Sequence, residues 1–261
     1  MELSNTFWVA IGLSALAGLS TTIGSVIGIF YKEPGPKYMA FTLGFSAGVM
    51  VLVSFMELLA SAVVMIGFST AYVAFFIGIL VMFAIDVALP HSYILEDHHE
   101  DKFMRTGKRE DKALMRTSML VAFGIAIHNF PEGMVTFAGA MQNIDLGIAL
   151  AFAVAIHNIP EGIAVAVPVY AATKSSKKAF GWSFLSGLSE PVGALLAGLV
   201  LMPFLNDSVL GWMLALVAGF MVFISLDELL PVAHSYKEEH VAILGVIAGM
   251  MVMALSLVLL V

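Results

Sequence analysis

Apolar residues run along this chain in long blocks broken by short polar interruptions, and about eight blocks reach the roughly 20 residues a helix needs to cross a bilayer. They lie near residues 5–30, 38–66, 69–90, 116–141, 145–171, 178–204, 208–233 and 239–261. The pattern predicts an all-α integral membrane protein of eight transmembrane helices, forming a single domain over 1–261. The chain opens MELSNTFWVAIG, with neither a basic segment nor a small-residue cleavage site, so its first apolar block reads as a span and not as a cleaved signal.

The basic residues punctuate these blocks in alternation. All 12 Lys and Arg fall in four segments: Lys32 with Lys37, Lys102 to Arg116, Lys174 to Lys178, and Lys237. These follow the first, third, fifth and seventh expected spans, which predicts cytoplasmic basic loops and both termini outside. An odd number of spans would break the alternation. Composition agrees, with 60% hydrophobic and only 12% charged residues. With no cysteine, thiolate ligands, disulfides and redox switching are excluded, and any transition metal must be held by nitrogen and oxygen donors, the 17 methionines being weak ones at best.

Two copies of one hexapeptide stand inside the apolar blocks: His128-Asn129-Phe130-Pro131-Glu132-Gly133 and His157-Asn158-Ile159-Pro160-Glu161-Gly162, 29 residues apart. A helical residue shares a face with its fourth successor, so His128 is predicted above Glu132 and His157 above Glu161, each pair able to grip one cation. Asn129 and Asn158 flank those carboxylates three residues earlier. Pro131 and Pro160 lack the N–H that would bond Ile127 and Ile156, so each motif is expected to bend its helix and bare a carbonyl. Arg116 lies twelve residues before His128 and Lys174 thirteen after Glu161, which puts both motifs ~18–20 Å from the cytoplasmic charges, near the bilayer centre. The short connection around Gln142 to Asp145 makes the two helices antiparallel, so the direct repeat becomes an inverted one in space.

Other acids share the membrane interior. Glu190-Pro191-Val192-Gly193 repeats the Glu–Pro theme, and Ser225 to Leu229, with Asp227 and Glu228, echoes Ser54 to Leu59, which contains Glu57. No expected span interior contains Lys or Arg, although an unpartnered charge at mid-bilayer costs at least about 3 kcal/mol. Protonation alone would account for the carboxylates but leaves two imidazoles at ligand spacing unexplained. Glu132, Glu161 and Glu190 nearly balance two divalent ions, and the mixed donor set suits first-row metals better than Mg²⁺ or Ca²⁺. Asp86 reads as a packing or helix-end contact. The polar run of about 91–115, dense in His and acid from His91 to Asp101, is either a solvated loop or a weak cytoplasmic metal trap.

In its paired HNxPEG motifs the chain resembles the ZIP (Zrt/Irt-like) family of divalent metal transporters, and most of all its bacterial ZupT-type branch. The resemblance covers essentially the whole chain. It implies a 3+2+3 arrangement of eight helices and a binuclear centre between the fourth and fifth spans. His128, Glu132, His157 and Glu161 would form one site, and Asn129, Asn158 and Glu190 a second that shares Glu132 and Glu161, with Glu57 as a further ligand. It further implies carriage of Zn²⁺, with Fe²⁺, Mn²⁺ and Cd²⁺ as related cargo, into the cytoplasm across the inner (plasma) membrane by an elevator-type dimer without a resident cofactor. The expected partners are metal ions, lipid and a second copy, with no nucleic acid. A metal-dependent intramembrane hydrolase is the competing reading, but no HExxH and no spare general base stand in the sequence. A proton or alkali-ion pump or channel would not need the paired His and Asn.

Overall fold

The computed structural model describes residues 2–31, 35–88 and 108–260, so the His91 to Asp101 run and any metal capture there lie outside the described residues. Every regular element described is helical: α1 Glu2–Tyr31, α2 Pro36–Val53, α3 Ala60–Ile66, α4 Phe68–Ala88, α5 Lys108–Gln142, α6 Ile144–Thr173, α7 Ser176–Gly187, α8 Ser189–Leu196, α9 Asp207–Ile224, α10 Leu230–Ser235 and α11 Glu239–Leu260. Seven segments among the described residues are long and apolar enough to cross a membrane, three of them composite: Pro36–Ile66, Ser176–Val200 and Asp207–Ser235. The chain is therefore a multi-pass membrane protein. The other long helix, α5, is not one of the seven; it starts at Lys108, earlier than the apolar block indicates, and carries Lys108 to Lys112 in its first turns.

Local chemistry sets the boundaries. Gly67, at φ +78°, turns the chain straight from α3 into α4, a left-handed conformation that costs glycine nothing. Asn143 alone joins α5 to α6, its side chain accepting from the Asp145 and Leu146 amides at 2.8 and 3.4 Å. Asn206 caps α9 in the same way through the Val209 amide at 3.0 Å. The sixth expected span is not one helix: α7 ends at Gly187, whose carbonyl would have been bonded by the N–H that Pro191 lacks.

The echo between Ser54 to Leu59 and Ser225 to Leu229 is structural as well as sequential. Both segments are π-helical turns, joining α2 to α3 and α9 to α10. The Ser54 hydroxyl donates to the Met50 carbonyl at 2.6 Å and that of Ser225 to Met221 at 2.7 Å. A hydroxyl competing for the carbonyl four residues back loosens the α-helical ladder at that point and favours the wider turn.

The helices sort into two bundles. In one, α1 and α5 flank α6, with α7 and α8 against α1 and α5; in the other, α2 pairs with α11 and α4 with α9. The second is meshed through glycines. A Cβ on Gly44 or Gly48 of α2 would stand 2.1 Å from the Ala242 or Val246 carbonyl oxygen of α11, and one on Gly219 of α9 would stand 2.2 Å from that of Phe75 in α4. Only a bare α-carbon permits such backbone contact, the means by which helices associate where lipid supplies no hydrophobic drive. Gly48 and Gly219 each precede their π-turn serine by six residues, so the two pairs are built alike. The bundles meet mainly through α2 on α6 and α5 on α9.

Candidate metal centre

Helices α5 and α6 carry the two hexapeptides and remain helical through Pro131 and Pro160. Their glycines explain why the motifs sit so deep. A Cβ on Gly133 would lie 2.0 Å from the Glu190 carbonyl oxygen, and one on Gly193 of α8 2.1 Å from that of Phe130, so α5 and α8 press together at their Glu–Pro steps. On α6, a Cβ on Gly162 would lie 1.9 Å from the Thr21 carbonyl oxygen of α1. Close backbone approach therefore draws the polar residues of α5, α6 and α8 into one water-poor layer.

In that layer Asn129, Glu132, His157, Asn158, Glu161 and Glu190 are all buried, none more than 2% exposed. The direct imidazole–carboxylate contact runs between motifs: His157 Nε2 stands 3.3 Å from Glu132 Oε2, across the α5–α6 interface. Spacing alone pairs His157 with Glu161 on its own helix; antiparallel packing at equal depth brings the other motif's acid alongside. The Asn158 amide nitrogen donates to Glu190 Oε1 and, at 3.0 Å, to the Ala17 carbonyl of α1. Both its hydrogens are thereby used, and Asn158 Oδ1 is left as an acceptor without a partner among the described residues.

Other polar atoms share that condition. Glu132 Oε1, Glu190 Oε2 and both polar atoms of Asn129 are buried without a hydrogen-bond partner among the described residues. A polar atom left this way costs about 1–3 kcal/mol, more for a charged group. Glu132 and Glu161 are also electrostatic neighbours of Glu190, so like charge accumulates where the sequence provides no Lys or Arg. An oxygen-rich, acid-rich layer that includes the His157 imidazole is chemically fit to receive a divalent cation.

The geometry does not unite every expected ligand. The His128 side chain lies outside the described ones, and among the described residues no three His, Asp or Glu converge tightly enough to hold an ion. Glu57 is only partly buried in its π-turn, unlike the residues of the polar layer. Asp227 and Glu228, also partly buried, stand in the matching turn between α9 and α10, and Asp86 is buried near the end of α4. Sequence reasoning did not single out Ala17, whose carbonyl orients Asn158. No side-chain chemistry marks it, and only the packing of α1 on α6 brings it there.

The chain is similar in sequence to known membrane transporters. The profile of the ZIP Zinc transporter family matches residues 89–257. The zinc transporter ZupT of Streptococcus mutans serotype c is 47% identical over 265 residues, spanning 98% of this chain and 99% of its own. That of Chlorobium phaeovibrioides is 49% identical over 269 residues with the same coverage, and that of Clostridium perfringens 46% identical over 279 residues, covering 98% and 97%. By its profile match, by relatives of this similarity over nearly their whole length, and by the paired motifs on α5 and α6, the chain belongs to the ZIP zinc transporter family.

Proposed function

We propose that this chain carries zinc, and with it Fe²⁺, Mn²⁺ and Cd²⁺, into the cytoplasm through a binuclear site at mid-membrane between α5 and α6. The observation that carries the site is the set of buried acceptors on Glu132, Asn158, Glu190 and Asn129, left without a protein partner among the described residues and without a nearby Lys or Arg. Cations satisfy such atoms; a hydrophobic interior does not. His128, Glu132, His157 and Glu161 form one site in this reading, and Asn129, Asn158 and Glu190 complete a second that shares the two motif carboxylates. Glu57 serves as an outlying ligand on the way in. The chain is a metal transporter and not an enzyme, as its membership of the zinc transporter family indicates.

In this reading α5 is the eighth membrane helix, the order is 3+2+3 with inverted repeats, and residues 1–261 make one transporter domain. Both termini face outward from the inner (plasma) membrane, and the protein works as a homodimer. The bundle of α1, α5, α6, α7 and α8 moves against the other, which is held together by its glycine contacts. Uptake of radioactive zinc into vesicles containing the purified protein tests the function directly. Wild type is expected to show saturable uptake that His157→Ala reduces by at least about tenfold, given that losing even a group that only orients a ligand costs 10–100-fold in affinity. Zinc bound without flux in wild type would defeat the carrier reading.

A second test addresses the motion. The Gln142 amide donates to the Asp207 carboxylate, linking α5 to α9 across the boundary between bundles at their exposed ends. Because the chain has no cysteine, the pair Gln142→Cys with Asp207→Cys can be cross-linked without background. Zinc uptake is expected to stop on oxidation and return on reduction, while either single variant transports normally. Full flux through the cross-linked protein would show that the bundles need not move there.

A further inference from the structure

Thr136 lies one helical turn beyond Glu132 on the same face of α5 and is fully buried. Its hydroxyl has no hydrogen-bond partner among the described residues. Other buried or partly buried helical hydroxyls in this chain, such as those of Ser54, Thr173 and Ser225, satisfy themselves on the carbonyl four residues back. Ser14, Thr21, Ser25 and Ser186 also lack a partner, but none of them lines a described cavity. Thr136 does. A cavity of about 10 Å³ lies between the two bundles, walled by apolar residues including Val53 and Leu58 of the α2 side, Leu150 and Val154 of α6, and Val217 and Met221 of α9. The polar groups on its wall are Glu132 and Thr136.

That volume is close to the lower limit for one oxygen-sized occupant, which also requires two or more polar partners. Glu132 and Thr136, whose Oε1 and Oγ1 have no hydrogen-bond partner among the described residues, both border this space. The cavity lies toward the α5–α6 connection, the outer side in the proposed orientation. An ion seating on Glu132 from that side must shed water beside a cavity otherwise lined by aliphatic side chains.

Resting on the transport reading, we propose that Thr136 is an additional metal-site residue: its hydroxyl, with Glu132, holds the last aqua ligand of the incoming ion or takes that ligand's place. Hard, strongly hydrated ions depend on such an oxygen more than zinc, which the imidazole favours. Thr136 thereby helps set the range of metals accepted. Valine has the shape of threonine without the hydroxyl, and serine keeps the hydroxyl, so Thr136→Val and Thr136→Ser separate chemistry from packing.

The experiment measures equilibrium binding of Zn²⁺ and Mn²⁺ to purified protein in detergent, and uptake of the same ions into vesicles, for wild type and both variants. Thr136→Val is expected to weaken Mn²⁺ about tenfold and Zn²⁺ by no more than about threefold, the former in the range for lost ligand-orienting groups. The same change should appear in KM with kcat kept within about twofold, and Thr136→Ser should restore both ions. Unchanged affinities and KM values in Thr136→Val would overturn the proposal. So would an equal loss for both ions that serine fails to restore, since that is the signature of packing. Wild-type flux judges the transport reading separately, because the binding ratios test Thr136 even if no flux is seen; a wild type that binds neither ion sinks both.

Discussion

Replacing Glu132 by glutamine is expected to abolish saturable zinc uptake and to lower zinc affinity at least about a hundredfold. Glutamine is isosteric and can still accept from His157 Nε2, which stands 3.3 Å from the carboxylate, so the α5–α6 contact survives. What disappears is one of the negative charges that attract the divalent ion, in a layer whose sequence supplies no Lys or Arg to balance the acids in its place. In water a carboxylate-to-amide change would matter little. Here the residue is 2% exposed, and charge interactions are several-fold stronger than in solvent. Isothermal titration with zinc, alongside vesicle uptake, measures both losses. Retention of wild-type affinity by Glu132→Gln would remove this carboxylate from the metal site.

Gly133→Val is expected to be equally damaging by a different route. A Cβ there would stand 2.0 Å from the Glu190 carbonyl oxygen and 2.6 Å from its Cα, so α8 must retreat before any γ-methyl is placed. Overpacking against backbone costs about 1–3 kcal/mol or more, and the segment displaced carries Glu190, the partner of Asn158. Thermal unfolding in detergent should shift markedly downward, and zinc uptake by whatever protein survives should fall about a hundredfold, the scale reported for misplacing reacting groups by an ångström. Gly181→Val is the control: a Cβ there meets nothing within 4 Å, so both properties should be retained. A Gly133→Val protein as stable and active as wild type would contradict the close packing of α5 on α8.

The contrast between these substitutions marks which part of the protein is readable from its residues. Acids and imidazoles inside apolar blocks announce themselves, because the membrane penalises them unless something is bound or paired. Gly133 announces nothing, and its importance depends on the backbone of a helix more than fifty residues away in the chain.

The sequence by itself determined the helical, membrane-embedded class, the placement of both hexapeptides on neighbouring antiparallel helices, and the kinship of the Ser54 and Ser225 segments. Apolar block length, a short connection and near-exact repetition are local properties, and a bilayer leaves helices few alternatives for satisfying their backbones. Tertiary structure alone decided that His157 faces Glu132 of the other motif, that Ala17 and Glu190 orient Asn158, and that Thr136 borders a cavity beside the site. It also decided that the sixth block breaks at Leu188 and that the Ser54 and Ser225 turns are π-helical. Side-chain spacing fixes which residues share a face of one helix. Which face meets which neighbour is set by glycine contacts between distant segments, and these carry no signal until the helices are assembled.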